Sequence, residues 1–317
     1  MYACAVALVS VVSPVYNEVS NLQRFCDELF ELFATTSYQL EIIFCMDPST
    51  DGTEDLIKKL HYKDPRVKLI SFSRRVGQDK ATQAGIDFAD GDAVIVMDCD
   101  LQDPVEAIPS FLNEWELGAK VVYGTRINRK KENFVKKLSA NLFYRVLNTF
   151  SESNIPRNTG DFRLMDKRVI VELRKFREDS FFLRALTPYV GFKTKQVSIS
   201  RIGRLSGQTK YNRYFGGLKT AMVAIFGYTN FIQKIFLFLF IFYFICLIFV
   251  LLVFVTLGFQ PEPTLAVLMN LILFFGFNLL FLLSFIGWII AQYLNRIYKQ
   301  GMYRPNYIID YVLGIAR

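Results

Sequence analysis

The first 125 residues alternate short β-branched apolar runs with stretches of helical apolar spacing. Val6–Ser13 reads as a strand. Asn21–Thr35 follows with Leu22, Phe25, Leu29 and Phe33 on one helical face. The same alternation continues with strands at Glu41–Met46, Val67–Ser71, Ala93–Asp98 and Lys120–Gly124. Helices are expected at Thr53–Leu60, Lys80–Asp90 and Pro104–Gly118. This β-α-β-α order predicts an α/β domain built on a mostly parallel, doubly wound sheet.

The pattern changes after residue 230. Between Lys234 and Arg296 the only charged residue is Glu262. Ile235–Leu257 and Leu265–Ala291 are uncharged runs, each longer than the ~20 residues that cross a hydrocarbon core. Gly258-Phe-Gln-Pro-Glu-Pro263 breaks them apart. The expectation is a transmembrane hairpin. The connecting loop has no Lys or Arg, whereas Lys219, Lys234, Arg296, Lys299 and Arg304 flank the spans. Both termini and the α/β domain are therefore expected on the cytoplasmic side.

Composition agrees with this division. The chain is 52% hydrophobic with 31 Phe, which excludes a disordered or disulfide-scaffold protein. The net charge of +8 suits an anionic membrane surface or nucleic acid, but no nucleic-acid-binding module is present. Five Cys show no metal-ligand spacing, so they are expected reduced and buried. A single His, His61, argues against a histidine-based triad. The apolar N-terminus lacks a basic leader and runs into Pro14 and Asn17, as a buried strand would and a signal peptide would not.

In a doubly wound sheet, ligands bind beyond the carboxyl ends of the strands. Three of those ends carry acidic and amide groups: Ser13-Pro-Val-Tyr-Asn-Glu18, Cys45-Met-Asp-Pro-Ser-Thr-Asp-Gly52 and Asp98-Cys-Asp-Leu-Gln-Asp103. At a frayed strand end Asp98 and Asp100 can face one ion. Hard carboxylates suit Mg²⁺ or Mn²⁺, which also bind phosphate oxygens.

Val12-Ser-Pro-Val-Tyr-Asn-Glu18 and Asp98-Cys-Asp-Leu-Gln-Asp-Pro104 resemble family 2 glycosyltransferases of the GT-A (Rossmann-like) fold. Gly160-Asp-Phe-Arg-Leu164, Arg204-Leu-Ser-Gly-Gln-Thr-Lys-Tyr211 and Tyr293-Leu-Asn-Arg-Ile-Tyr298 with Arg304-Pro-Asn-Tyr307 narrow the match. With the hairpin they resemble polyprenyl-phosphate glycosyltransferases: dolichol-phosphate mannose synthase relatives and, more closely, bactoprenol glucosyltransferases of O-antigen modification. The resemblance covers essentially the whole chain.

The resemblance implies inverting transfer of a hexose, glucose first, from a nucleotide diphosphate sugar such as UDP-glucose to undecaprenyl phosphate. It implies a Mg²⁺ or Mn²⁺ cofactor at Asp98, Asp100 and Gln102. Pro14, Tyr16, Glu18 and Asp47 match nucleotide-sugar positions, joined by Asp98, Arg204 and Lys210. Arg126, Lys137 and Ser139 would grip the lipid phosphate. Asp100, Asp161 and Arg126 would form the catalytic centre. Plainer roles stand beside these: an N-cap before Pro104 and Glu106 for Gln102 and Asp103, a turn for Asp47, an ion pair with Arg163 for Asp161, and a membrane-surface loop for Arg204 and Lys210. Met46 and Pro48 depart from the usual acidic-acidic-Gly-Ser pattern at the second strand end.

Residues 126–145 combine Arg126, Arg129, Lys130, Lys131, Lys136, Lys137 and Arg145 with helically spaced Phe134, Leu138, Leu142, Phe143 and Val146, as in an interfacial amphipathic helix. The expected organisation is a catalytic domain over 1–210, an interfacial helix over 211–230, a hairpin over 231–292 with spans at 231–257 and 265–291, and a cytoplasmic tail over 293–317. The expected setting is multi-pass in a bacterial inner membrane, as a homo-oligomer, a tetramer by resemblance. The competing readings are a degenerate GT-A scaffold and a polyprenyl-phosphate mannosyl or aminosugar transferase.

Overall fold

A computed structural model describes residues 6–126, 145, 147–151, 154–178, 181–200, 225, 229–257 and 263–315. The chain forms two compact units, 1–230 with 305–317, and 231–304.

The first unit holds eight strands: β1 (Leu8–Val15), β2 (Gln39–Met46), β3 (Val67–Phe72), β4 (Ala93–Val96), β5 (Val121–Arg126), β6 (Thr159–Asp166), β7 (Thr194–Ile199) and β8 (Ile309–Leu313). They form one sheet in the order β7-β5-β6-β4-β1-β2-β3-β8. Six of these strands point the same way and two are reversed, so the expected mostly parallel sheet is a mixed one. β3-β2-β1-β4 and the β5-β7 pair run parallel, while β6 and β8 run antiparallel to each of their neighbours. Both antiparallel strands come from segments without a continuous apolar run: β6 reads TGDFRLMD, and β8 follows the second long apolar segment.

Six helices of this unit are described: α1 (Val19–Ala34), α2 (Thr53–Lys63), α3 (Gln78–Phe88), α4 (Ile108–Glu116), α5 (Lys167–Leu173) and α6 (Leu183–Tyr189). A short 3₁₀ turn, Val105–Ala107, precedes α4. Residues of α1, α2 and α4 enter one buried apolar cluster, and those of α3, α5 and α6 another. The sheet is thus covered on both faces, which explains why β1 and β2 are buried at almost every position. On α1, Leu22, Phe25 and Leu29 are fully buried. Each contributes roughly 1.5–3 kcal/mol, against about 0.3–0.5 kcal/mol for an exposed i,i+4 pair such as Arg24–Glu28. Packing holds the helix.

α3 lies unusually close to the sheet. A Cβ placed on Gly85 would sit 2.2 Å from Val12 Cγ1 and 2.7 Å from Cys45 Sγ. Glycine here permits the close approach that brings the start of α3 to the ends of β1 and β2.

The C-terminal residues return to this unit. β8 pairs with β3, and Ile308 O accepts from Ser73 N at 3.1 Å. Asn306 Nδ2 donates to Gln83 Oε1 at 2.9 Å, Tyr307 OH to Asp87 Oδ2 at 2.7 Å, and Tyr311 OH to Glu54 Oε1 at 2.7 Å. Residues 305–315, set apart as a tail by sequence, therefore complete one edge of the sheet.

The second unit consists of α7 (Phe231–Leu257) and α8 (Pro263–Gly301). α7 has the boundaries expected of the first span, and α8 continues ten residues beyond the expected end of the second, Ala291. The Phe236 and Phe285 rings meet at 6.3 Å. Large apolar side chains face outward, Phe238 at 68% and Phe277 at 75% exposure. Asn278 Nδ2 and Ser284 Oγ donate to carbonyls of their own helix, at 2.8 and 2.9 Å. Among the described residues one stretch, Met269–Gly301, is long and apolar enough to cross a membrane, and Phe231–Cys246 is a shorter apolar one. The two-span hairpin remains an expectation.

Gly85→Ala tests the packing. Overfilling this contact is expected to cost about 1–3 kcal/mol, seen as a fall of several degrees in Tm by circular dichroism. An unchanged Tm would contradict the close approach.

Candidate functional site

The parallel strands β1, β2, β3 and β4 all end at one edge of the sheet. β6 runs the other way, so its beginning lies at that same edge: Val96 pairs with Arg163, and Asp161 precedes Arg163. β5 ends there too, with Arg126 N donating to Asn158 O at 3.1 Å. Topology thus gathers Tyr16, Glu18, Asp47, Asp98, Asp100, Arg126 and Asp161 along one edge.

The loops on this edge are tied together by side chains. Asp47, buried at the end of β2, accepts from Val76 N at 2.8 Å through one oxygen and from Gly77 N at 3.0 Å through the other. Its carboxylate therefore shapes the loop after β3, which is more than a local turn. Gly77 enters α3 with φ +87, a conformation that favours glycine. Asn17, itself at φ 52, accepts from Thr50 N at 2.8 Å and donates its own N–H to Ser49 Oγ at 3.1 Å. Asp51 accepts from Val19 N at 3.2 Å and from the Thr53 hydroxyl at 2.6 Å. Burial works against its charge, but these hydrogen bonds hold the carboxyl below its ordinary value. The departures at the second strand end are absorbed: Met46 is fully buried in the core, and Asp47 keeps its reach past Pro48.

Arg75, on the loop shaped by Asp47, places its guanidinium 4.0 Å from the centre of the Tyr16 ring. Pro14 lies in β1 opposite Cys45. Glu18 Oε2 accepts from Asn21 Nδ2 at 2.6 Å, and Glu18 N donates to Thr53 Oγ1 at 2.9 Å.

β4 stops at Val96, so Asp98 and Asp100 stand on the turn beyond it. Asp98 Oδ1 accepts from Gln78 Nε2 at 3.0 Å. Asp100, 6% exposed, accepts from Gln102 N at 3.1 Å. Cys99 is buried between them. Burial first, then the charges of Glu18, Asp98 and Asp100, push its thiol well above the usual range. Asp98 and Asp100 flank it on the turn beyond β4, a local concentration of negative charge that suits a cation.

The donor set fits a hard divalent ion: two carboxylates, with the Gln102 carboxamide on the same turn. Among the described residues, no group of three or more His, Cys, Asp or Glu could hold a metal by itself. The protein would supply up to three oxygens, and water and phosphate the rest, as is usual for Mg²⁺.

A second cluster surrounds Asp161. Its carboxylate pairs with Arg184 of α6 through two hydrogen bonds, Nε–Oδ1 and Nη2–Oδ2, both 2.9 Å. Arg163, the partner expected from sequence, is 4.0 Å away, fully buried and otherwise engaged. It donates to Gly160 O at 2.7 Å, Thr187 Oγ1 at 2.9 Å and Leu183 O at 3.1 Å. Arg126 lies across Gly160, where an added Cβ would come within 2.7 Å of its Nη2. Burial alone would raise the Asp161 carboxyl. Arg184, then Arg163 and Arg126, more than offset this and hold it well below the carboxylate range.

Lys137, Ser139, Arg204 and Lys210 lie outside the described residues, as do most of the basic stretch 126–145 and the segment 211–230. Arg75, Gln78 and Arg184 were missed from the sequence. The Arg74-Arg75 pair directly after a strand was the available signal for the first; the last comes from a helix 23 residues beyond its partner.

Residues 10–174 match the family model described as glycosyl transferase family 2. The chain belongs to that family. The uncharacterized glycosyltransferase YkcC of Bacillus subtilis (strain 168) is 36% identical over 313 residues, covering 96% of this chain and 94% of the relative. The bactoprenol glucosyl transferase of Shigella phage SfV is 35% identical over 307 residues, covering 95% and 97%. Among solved structures, glucosyl-3-phosphoglycerate synthase from Mycobacterium tuberculosis, with Mn²⁺, uridine diphosphate and phosphoglyceric acid, is 18% identical. It covers 69% of this glycosyltransferase and 76% of that chain, with a TM-score of 0.49.

Asp47→Ala removes the acceptor for two loop amides of this glycosyltransferase. The expected loss is about 1–3 kcal/mol, visible as a lowered Tm, together with weaker UDP binding by calorimetry. Unchanged stability and affinity together would show that the loop after β3 does not depend on Asp47.

Proposed function

We propose that this glycosyltransferase moves glucose from UDP-glucose to a polyprenyl phosphate, undecaprenyl phosphate, with inversion at the anomeric carbon. The observation that carries the reading is the placement of Asp98 and Asp100 on the turn beyond β4, on the same edge of the sheet as the Asp161–Arg184 pair and Arg126. It occurs in a chain 35% identical over 307 residues to a protein named bactoprenol glucosyl transferase.

The acidic half of the edge takes the donor. Tyr16 and Arg75 offer a face for the base, and Glu18 and Asp47 accept from base or ribose donors. Asp98, Asp100 and Gln102 hold Mg²⁺ or Mn²⁺, whose chemistry there is neutralisation of the charge on the departing diphosphate. The basic half takes the acceptor. Arg126, with Lys137 and Ser139, grips the lipid phosphate; Arg204 and Lys210 contact the donor diphosphate. A phosphate oxygen attacks the anomeric carbon as the bond to the nucleoside diphosphate breaks on the opposite side. The acceptor is already an anion, so the step needs no strong general base.

α7 and α8 form the proposed two-span anchor, with residues 258–262 outside and the catalytic domain and both termini in the cytoplasm. The outward-facing aromatic residues of both helices support this reading, as does the distribution of Lys and Arg.

The test uses purified full-length protein in detergent with undecaprenyl phosphate, Mg²⁺ or Mn²⁺, and a panel of UDP- and GDP-sugars. Lipid-dependent release of UDP from UDP-glucose, lost on Asp100→Ala, is the expected result. Release with another sugar only would redirect the specificity to a mannosyl or aminosugar donor. No release and no UDP binding would support a scaffold and overturn the proposal.

A further inference from the structure

We propose that Arg184 is a positioning residue of the transfer reaction: it fixes the Asp161 carboxylate as a permanent, oriented anion beside Arg126. The inference rests on the reading of this edge as the acceptor-phosphate site.

Arg163, nearest to Asp161 in sequence, and Arg184, nearest to its carboxylate in space, divide the work. Arg163 is fully buried and bonds to carbonyls of Gly160, Asp161 and Leu183 and to the Thr187 hydroxyl. It fastens β6 to α6. Arg184 is different. Its side chain is 31% exposed, as Asp161 is at 28%, and its planar fork meets both carboxylate oxygens. A bidentate pair at a solvent-facing edge fixes rotation as well as charge.

The charged groups facing Asp161 are Arg184 from α6, Arg163 on its own strand and Arg126 from β5. Three guanidinium groups around one carboxylate leave a positive field, complementary to a phosphate. Such a carboxylate takes up no proton at neutral pH. It serves as a fixed anion, oriented by Arg184, next to Gly160, across which Arg126 lies. The direction of its shift agrees, since the arginines hold it ionised.

The consequence is a loss read on the acceptor. Without the Arg184 fork the Asp161 carboxylate keeps its charge and loses its fixed orientation, so the informative quantities are kcat and the KM for the lipid, each as a ratio between variant and wild type.

The experiment compares full-length wild type, Arg184→Gln, Arg184→Lys, Asp161→Asn and the Asp161→Asn/Arg184→Gln double variant at neutral pH. Arg184→Gln is expected to lower kcat/KM for the lipid at least tenfold. Arg184→Lys, which restores the charge without the fork, recovers only part of it, UDP affinity is unchanged, and the double variant is no worse than Asp161→Asn alone. An unchanged kcat/KM in Arg184→Gln, full recovery by Arg184→Lys, or additive losses in the double variant would overturn the proposal. If Arg184→Gln does not fold, the partial loss in Arg184→Lys and its absence on the Asp161→Asn background carry the same test. If the wild type shows no lipid-dependent turnover, the acceptor reading itself has failed; the ratio is then read on donor hydrolysis by water, measured as UDP release.

Discussion

Backbone N–H groups at the ends of parallel strands must find acceptors once the sheet is covered on both faces. In this protein the side chains of neighbouring loops supply them. Asp47, leaving β2, accepts from Val76 and Gly77 after β3; Asn17, leaving β1, accepts from Thr50 after β2; Asp51 accepts from Val19 in return. Each loop is held by a polar group of a neighbouring loop, so this face is shaped before any ligand arrives. The position of Arg75 over Tyr16 and of Gln78 against Asp98 follows from the same tie, because both arise from the segment that Asp47 secures. Preorganised groups cost no reorganisation during reaction, which is how a binding edge becomes a catalytic one.

Charge is segregated along that edge. Carboxylates collect around the end of β4, and guanidinium groups around the start of β6 and the end of β5. The reversal of β6 makes this possible: it brings Asp161 to the edge where β4 has just delivered Asp98 and Asp100. A metal-chelated diphosphate and a lipid phosphate would repel each other in water. In the proposed reaction, neighbouring seats on one sheet would hold the two, the first rich in carboxylates and the second in guanidinium groups.

The sequence was informative where apolar periodicity was local. β1 to β5 and α1 to α4 lie within a few residues of their expected positions, because β-branched runs and i,i+3/i+4 apolar spacing mark them directly. The boundaries that moved have local causes: β4 stops at Val96, short of the expected Asp98, where the acidic turn begins. β6 carries Asp161, Arg163 and Asp166, and no linear pattern announces that Arg163 is fully buried against carbonyls of another helix. β8 pairs with a strand more than two hundred residues earlier, beyond the reach of any local signal. The acidic candidates were legible as polar breaks at strand ends. Arg184 was not, since only tertiary packing of α6 on β6 makes it the partner of Asp161.

The central claim is that the loops after β1, β2, β3 and β4 form one donor site. Hydrogen–deuterium exchange of the full-length protein, with and without UDP and Mn²⁺, tests it most directly. The account predicts concerted protection of residues 16–19, 47–53, 73–79 and 98–103, with no change at the opposite edge around Glu41, Asp90 and Gly91. Protection confined to one of these loops, or appearing at the opposite edge instead, would contradict it.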